Sequence, residues 1–308
     1  MGNVLKFAHH ASNFPCWLCA VSRLDGSVNA LNDCKKDAAW KRSLVPPLAG
    51  TLAKATEHPI LSITGASRFS FTGDIQHSMN LGTDSYLAGA ILGDIVLNAG
   101  WTGTKVERTQ KLWQLIRDQY DAYGTQIRLA TLRETMFLRS GQFAELHAHA
   151  VETYNVLLAL GSVLVDLDDG SLYHRMRLET CNSLLGLHKI FDEADVFLSA
   201  EQSTRALELA DRFLLYNNYL CRESLRRGQL LYHMTVKTHL MWHLADQSKF
   251  LNPKLTACFE FEHYQGLVKK CAQSAMAGSG LVLVGNKVME HSLLALHLRL
   301  ERAMAERG

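Results

Sequence analysis

Between Pro59 and Pro253 the chain carries no proline, so its whole central span lacks the residue that most reliably interrupts a helix. Apolar positions in that span recur at helical spacing over residues 105–122, 125–138, 143–167, 172–193, 200–226 and 232–248, and before them over 86–97. Gly124, Gly141, Gly170 and Gly228 fall near the breaks, Gly100 and Gly103 follow the helix at 86–97, and Pro253 closes the block. A further helix is expected at 262–276, a short β-like run at 281–284 and a last helix at 287–307. The N-terminal part has a different texture. Pro15, Pro46, Pro47 and Pro59 lie there, and two short runs, 60–64 and 68–72, read as strands. The pattern predicts a mainly α fold of long helices with a small β portion. It divides into an N-terminal Cys/His segment (1–57), a strand–helix part (58–103), a helical block (104–253) and a C-terminal helical part (254–308).

With 308 residues, of which 47% are hydrophobic and 20% charged, the chain can bury a substantial core in one large domain or two ordinary ones. No apolar run reaches the length needed to span a bilayer, and no charged n-region precedes an apolar h-region, which predicts an intracellular protein without a membrane partner. Seven cysteines at irregular spacing predict reduced thiols. The net charge of +2 gives no broad electrostatic footprint for nucleic acid, so contact with a polyanion must be local. A phosphate-cradling glycine loop, a dinucleotide-binding fingerprint and a G-x-S-x-G elbow are all absent.

Three constellations carry chemistry. In HHASNFPCWLC, Cys16 and Cys19 have the spacing that lets two thiolates reach one tetrahedral Zn²⁺, with His9 or His10 near enough to contribute and Cys34 as another source of a ligand. The alternatives are a pair of buried thiols in a turn, or a redox pair, for which the lead-in SNFP is unsuited. In FSFTGDIQHSMNLGT, Phe69 and Phe71 alternate towards Gly73, and Asp74 emerges there with His77 close by. Asp74 reads either as a carboxylate at a strand end or as the cap of the next helix, worth roughly 1 kcal/mol. In ACFEFEHYQGLVKKCAQ, Glu260 and Glu262 alternate with Phe259 and Phe261 at the start of a helix, where acidic residues suit the macrodipole. Upstream, His239 and His243 in VKTHLMWHL share a helical face; without the glutamate of H-E-x-x-H they read as buried, hydrogen-bonded histidines.

The order CWLC, DAAWKRSL, FTGDIQHSMNLGTDSY, KLWQLIRDQYDAYGT, VKTHLMWHL, NPKLTACFEFEHYQGLVKK resembles a large set of repetitive reading frames from dinoflagellate genomes over nearly the whole chain. More remotely, its D-x-x-H-x-x-x-L-G element and its late K-x-H … E-x-x-x-G element are similar to cut-and-paste transposases of the Kyakuja–Dileera–Zisupton and Plavaka type. That resemblance implies a ribonuclease-H-like DDE core, here with a large helical insertion. Asp74 and Glu262 would be metal-facing acids for Mg²⁺ or Mn²⁺, with His77 orienting them, and Cys16 and Cys19 would be a zinc clip. DNA would be the partner and the nucleus the compartment.

One departure weighs on that expectation. The family's first catalytic aspartate belongs on a strand ahead of the C-x-x-C, and residues 1–15 hold no Asp. Either the element is truncated, the favoured reading, or a third carboxylate comes from elsewhere, such as Asp84 or Asp94; a two-carboxylate remnant is expected to hold Mg²⁺ poorly and to be inactive as a nuclease. Two further classes stand beside the enzyme. One is a nucleic-acid-binding remnant that uses Lys269, Lys270, Arg226 and Arg227 on phosphates; the other is a helical scaffold, open to forming homo-oligomers, that needs no convergent site.

Overall fold

The computed structural model describes residues 12–44 except 25, residues 73–258, residues 266, 269, 270, 273 and 274, and residues 281–305. They are mainly helical, as the proline-free span implies. After a one-turn helix α1 (Ala39–Arg42), a π-helical stretch Gln76–Thr83 runs into α2 (Asp84–Asn98). Then come α3 (Lys105–Ala122), α4 (Ala150–Asp166), α5 (Leu172–Glu193), α6 (Ala200–Arg226) and α7 (Val236–Gln247). The last element is α8 (Leu281–Ala305). The chain divides into two compact units, Met1–Thr256 and Ala257–Gly308.

Local chemistry explains where most helices start and stop. Thr104 and Glu107 form a reciprocal capping box at the start of α3, as Ser199 and Gln202 do for α6. Ser171 caps α5 through the His174 amide, and Thr235 caps α7 through the Thr238 amide. The glycines expected at the breaks, Gly124, Gly141, Gly170 and Gly228, all take left-handed φ between 61° and 70°. α5 and α6, joined by residues 194–199, form a helical hairpin in which a Cβ on Gly186 would sit 3.0 Å from Leu209 Cδ1. Asn252 locks the hairpin's turn by donating to the carbonyls of Phe191, Ala194 and Asp195.

Three expectations are corrected. Residues 125–138 are not a helix: a single 3-10 turn, Glu134–Met136, interrupts a loop whose Leu129, Leu132 and Phe137 are buried. Their spacing imitates helical periodicity, but the backbone finds distant partners, Ile127 accepting from the Asn155 side chain and Met136 from the His147 amide. Residues 144–147, expected inside a helix from 143, instead form a loop against α2, where the Leu146 amide donates to the Ser85 carbonyl, the Ser85 hydroxyl donates to the Leu146 carbonyl, and Gly89 leaves room. The β-like run 281–284 is the first turn of α8. The small β portion among the described residues consists of isolated bridges, Cys19 to Leu44 and Ser22 to Ala30, without a sheet. The strand runs 60–64 and 68–72 lie outside the described residues.

Residues 12–44 have little regular structure of their own, and contacts with α6 and α7 fix them. Leu18, Val21 and Trp40 are buried, and Trp40 packs edge-on against Trp242 with ring centroids 5.0 Å apart. Beside them Lys41 Nζ and Trp242 Nε1 converge on one carboxylate oxygen of Asp211, at 2.7 and 2.8 Å. No described helix is long and apolar enough to cross a membrane.

Candidate metal centre

The α7 sequence VKTHLMWHLADQ is apolar or aromatic on most sides, so the helix is buried nearly all round and its histidines go inside with it. His239 and His243, four residues apart, project from one face at 1% and 2% exposure. Opposite them stand Cys16 and Cys19. Cys16 Sγ lies 3.5 Å from His243 Nε2, Cys19 Sγ 3.3 Å from His239 Nε2, and the two Nε2 atoms 3.0 Å apart. All four ligand atoms fall within 4.8 Å of one another. With Zn–S of about 2.3 Å and Zn–N of about 2.0–2.1 Å, a tetrahedral site has S–N edges of about 3.5 Å and an N–N edge of about 3.3 Å. The two S–N edges fit that figure, and the N–N edge, at 3.0 Å, is slightly shorter.

The electrostatics suit a cation at the same point. Burial opposes a thiolate at Cys16, but the Cys19 thiol and the imidazoles of His243 and His239 more than offset it and hold Cys16 well below the usual thiol range. Cys19, which shares its proton with Cys16, is pushed up correspondingly, with burial adding to the rise. Burial, against the pull of Cys16, lowers the His239 pKa and so favours the neutral form, which offers Nε2 as a ligand. Trp40 covers the imidazoles, its ring centroid 4.4 Å from that of His239 and 6.1 Å from that of His243, and walls the site off from solvent. The set Cys₂His₂ can therefore hold a metal such as zinc with no coordination position left open.

The C-x-x-C half-site thus finds its complement in the two histidines read from sequence as ordinary core residues. Cys34 is not part of the set; it is buried elsewhere, with its thiol pushed up to about 12 by burial. His9 and His10 lie outside the described residues. The signal that could have found the pair is the i, i+4 spacing of His239 and His243, which matches C-x-x-C as a two-ligand unit.

The other candidates are arranged differently. Asp74 accepts from the amides of Gln76 and His77, both at 3.1 Å, and its carboxylate also meets His77 Nδ1, so it caps the helical run that follows. Glu262 lies outside the described residues. Asp84 and Asp94 are no source of a third catalytic carboxylate, because each is fully buried and committed to protein donors. Asp84 meets His188 Nε2 at 2.9 and 3.0 Å; Asp94 accepts from Arg177, Tyr232 and Asn98 at 3.1, 3.2 and 2.6 Å. Arg226 and Arg227 both pair with Glu223, and Arg227 also stacks 4.0 Å over Tyr173. Lys269 and Lys270 are exposed in the second unit.

No protein-family model matches the chain, and no curated protein or solved structure matches it either.

Proposed function

We propose that the protein is a zinc-stapled helical domain, in which one Zn²⁺ held by Cys16, Cys19, His239 and His243 ties the N-terminal segment to α7. The observation that carries this reading is the convergence of two thiols and two imidazole Nε2 atoms within 4.8 Å in a buried site. A four-ligand site closed to water serves structure, since catalytic zinc keeps a position for substrate. The ion would supply a cross-link, and residues 12–44, with few helical bonds of their own, would depend on it. The test is metal analysis of the purified chain together with Co²⁺ substitution. One tightly held ion per chain, with the visible absorption of a tetrahedral Cys₂His₂ cobalt site lost in Cys16→Ser and in His243→Ala, is expected; a metal content unaffected by both changes would overturn it.

A second reading places this domain in a protein descended from DDE transposases, with DNA as its partner and Mg²⁺ or Mn²⁺ at Asp74 and Glu262. What favours it is a meeting of motif elements. Lys237 of the K-x-H element donates to the Leu81 carbonyl of the D-x-x-H-x-x-x-L-G element at 2.6 Å, and His239 of the same K-x-H lies against Cys19 of the C-x-x-C. On this reading the chain binds DNA without cleaving it, using Lys269, Lys270, Arg226 and Arg227, and works in the nucleus. Saturable Mn²⁺ binding lost in both Asp74→Ala and Glu262→Ala, and salt-dependent DNA binding weakened by substituting those basic residues, would sustain it. Absence of both would leave the zinc-stapled scaffold alone.

A further inference from the structure

The π-helical stretch Gln76–Thr83 is an uncommon piece of backbone. Runs of i→i+5 bonding are rare, because an α register is locally better, and they persist where the surroundings fix them. Here the turn begins with an α-type bond, Ser78 N to Asp74 O at 3.0 Å, and ends with the Asp84 amide bonded to Met79 O, five residues back.

Part of what fixes the register comes from α7. Lys237 Nζ donates to the Leu81 carbonyl at 2.6 Å. Gly82 makes that approach available: a Cβ there would stand 2.8 Å from Lys237 Cδ and 2.7 Å from the His77 carbonyl. About two turns further along α7, Leu244 packs beneath Gly73, with Cδ2 3.4 Å from the position of a Cβ on that glycine.

At about 100° per residue, Lys237 and Leu244 lie within about 20° of each other around α7, and His239 and His243, within about 40° of each other, are centred about 130° away. One helix thus carries the metal ligands and the supports of the π stretch on separate faces.

We infer that metal binding at the Cys16–Cys19–His239–His243 centre holds residues 76–83 in the π register, with α7 as the shared lever. The inference rests on the zinc reading and extends it to the regulation of a distant surface. With the ion bound, α7 is pinned to residues 16–19, and Lys237 and Leu244 stay seated. Without it, the four bonds to the ion give way to weaker thiol–imidazole contacts and the packing of Trp40 on α7, α7 gains freedom, and the π stretch relaxes by a one-residue slip towards α geometry. Such a slip turns the segment before it by about 100° relative to α2. Metal occupancy therefore sets the direction in which Asp74 and His77 point, and His77, about half exposed, is the side chain that would present the change to solvent.

Hydrogen–deuterium exchange on the full chain tests this, zinc-loaded against chelator-stripped, with α5 and α6 as the internal reference. Stripping the metal is expected to speed exchange in 76–83 by about tenfold or more, while α5 and α6 change by less than about twofold. Lys237→Met keeps the aliphatic stem but not the ammonium. It should bind zinc at the parent's stoichiometry and exchange quickly in 76–83 whether loaded or stripped, and Gly82→Ala, by displacing Lys237, should do the same. Zinc binding with no change in 76–83 on stripping, equal loss of protection throughout the chain, or a full response retained in Lys237→Met would each overturn the lever. A chain that takes up no metal would instead sink the zinc reading, and the lever with it.

Discussion

Cys19 Sγ stands 3.3 Å from His239 Nε2, a contact that closes a loop of 220 residues. Neither residue sits in an element that would bring it there alone. Cys19 belongs to a segment whose regular structure is two isolated bridges and the one-turn α1, and His239 reaches the centre because α7 packs on α6 and on the π stretch. In the chain-entropy picture a covalent link across a loop of that length stabilises by about 5 kcal/mol, so a metal link at this point has large leverage on the fold.

Removing one ligand should therefore cost more than local packing. For Cys19→Ser and for His243→Ala we expect zinc affinity to fall by more than the roughly 10–100-fold that loss of an outer-shell partner costs. Residues 12–44 should also become the first site of proteolytic cleavage. Competition with a chromophoric chelator measures the first effect, and timed proteolysis read by mass the second. Wild-type affinity in both variants would contradict the assignment.

Helices α3, α5 and α6 were legible to the residue, because each combines an apolar stripe with a cap at its start and a glycine or a capped turn after it. The loop 125–138 was not. Leu129, Leu132 and Phe137 have helix-like spacing, and only tertiary partners such as Asn155 and His147 decide against a helix. Half of the metal centre could be read from C-x-x-C; the other half could not, because the burial of α7 that brings His239 and His243 to the thiols is set by contacts far away in sequence. Asp74 was legible as one of two roles, and the cap is the one that the amides of Gln76 and His77 display.

The Asp84–His188 pair gives the protein a specific pH dependence. Burial opposes the imidazolium, but the adjacent Asp84 carboxylate more than offsets it, with Asp192 adding a smaller pull, so the His188 pKa is raised above its ordinary value. A group raised on folding contributes stability in full below its unfolded pKa, about 6.5, and that contribution is lost as pH rises through the folded value. Stability from urea unfolding should thus decline above about pH 6.5 in the parent, and this component should vanish in His188→Gln. Removing one partner of a buried pair costs about 3–5 kcal/mol, so Asp84→Ala should be strongly destabilised at pH 6. Identical pH profiles for parent and His188→Gln would exclude the pair as their source.

Gly89 and Gly93 lie on α2 but differ in what surrounds them. A Cβ on Gly89 would meet the backbone of Glu145 and Leu146 at 2.5–2.6 Å, whereas one on Gly93 would meet the side-chain ends of Leu138 and Leu231 at 2.8 and 3.0 Å. Backbone cannot step aside without breaking the pairing of Leu146 with Ser85; leucine side chains can turn. Alanine also favours a helix over glycine by about 1 kcal/mol. Gly89→Ala should accordingly lose about 1–3 kcal/mol in denaturant unfolding, and Gly93→Ala clearly less. Equal effects would mean that the 144–147 segment is not held against α2 as described.

Asp74 permits a substitution that separates its two roles. As a cap it needs only a side-chain oxygen facing the amides of Gln76 and His77, and asparagine supplies one about as well as aspartate does. As a magnesium ligand it needs the charge, which asparagine lacks. Asp74→Ala should therefore cost about 1 kcal/mol of stability and Asp74→Asn only a fraction of that, with zinc content unchanged in both. Calorimetric titration with Mn²⁺ supplies the other half of the comparison. If Asp74→Asn keeps the parent's stability yet abolishes a saturable Mn²⁺ signal, the carboxylate has a role beyond the cap. If parent and variant titrate alike, holding the first turn of the π stretch is the whole of its work.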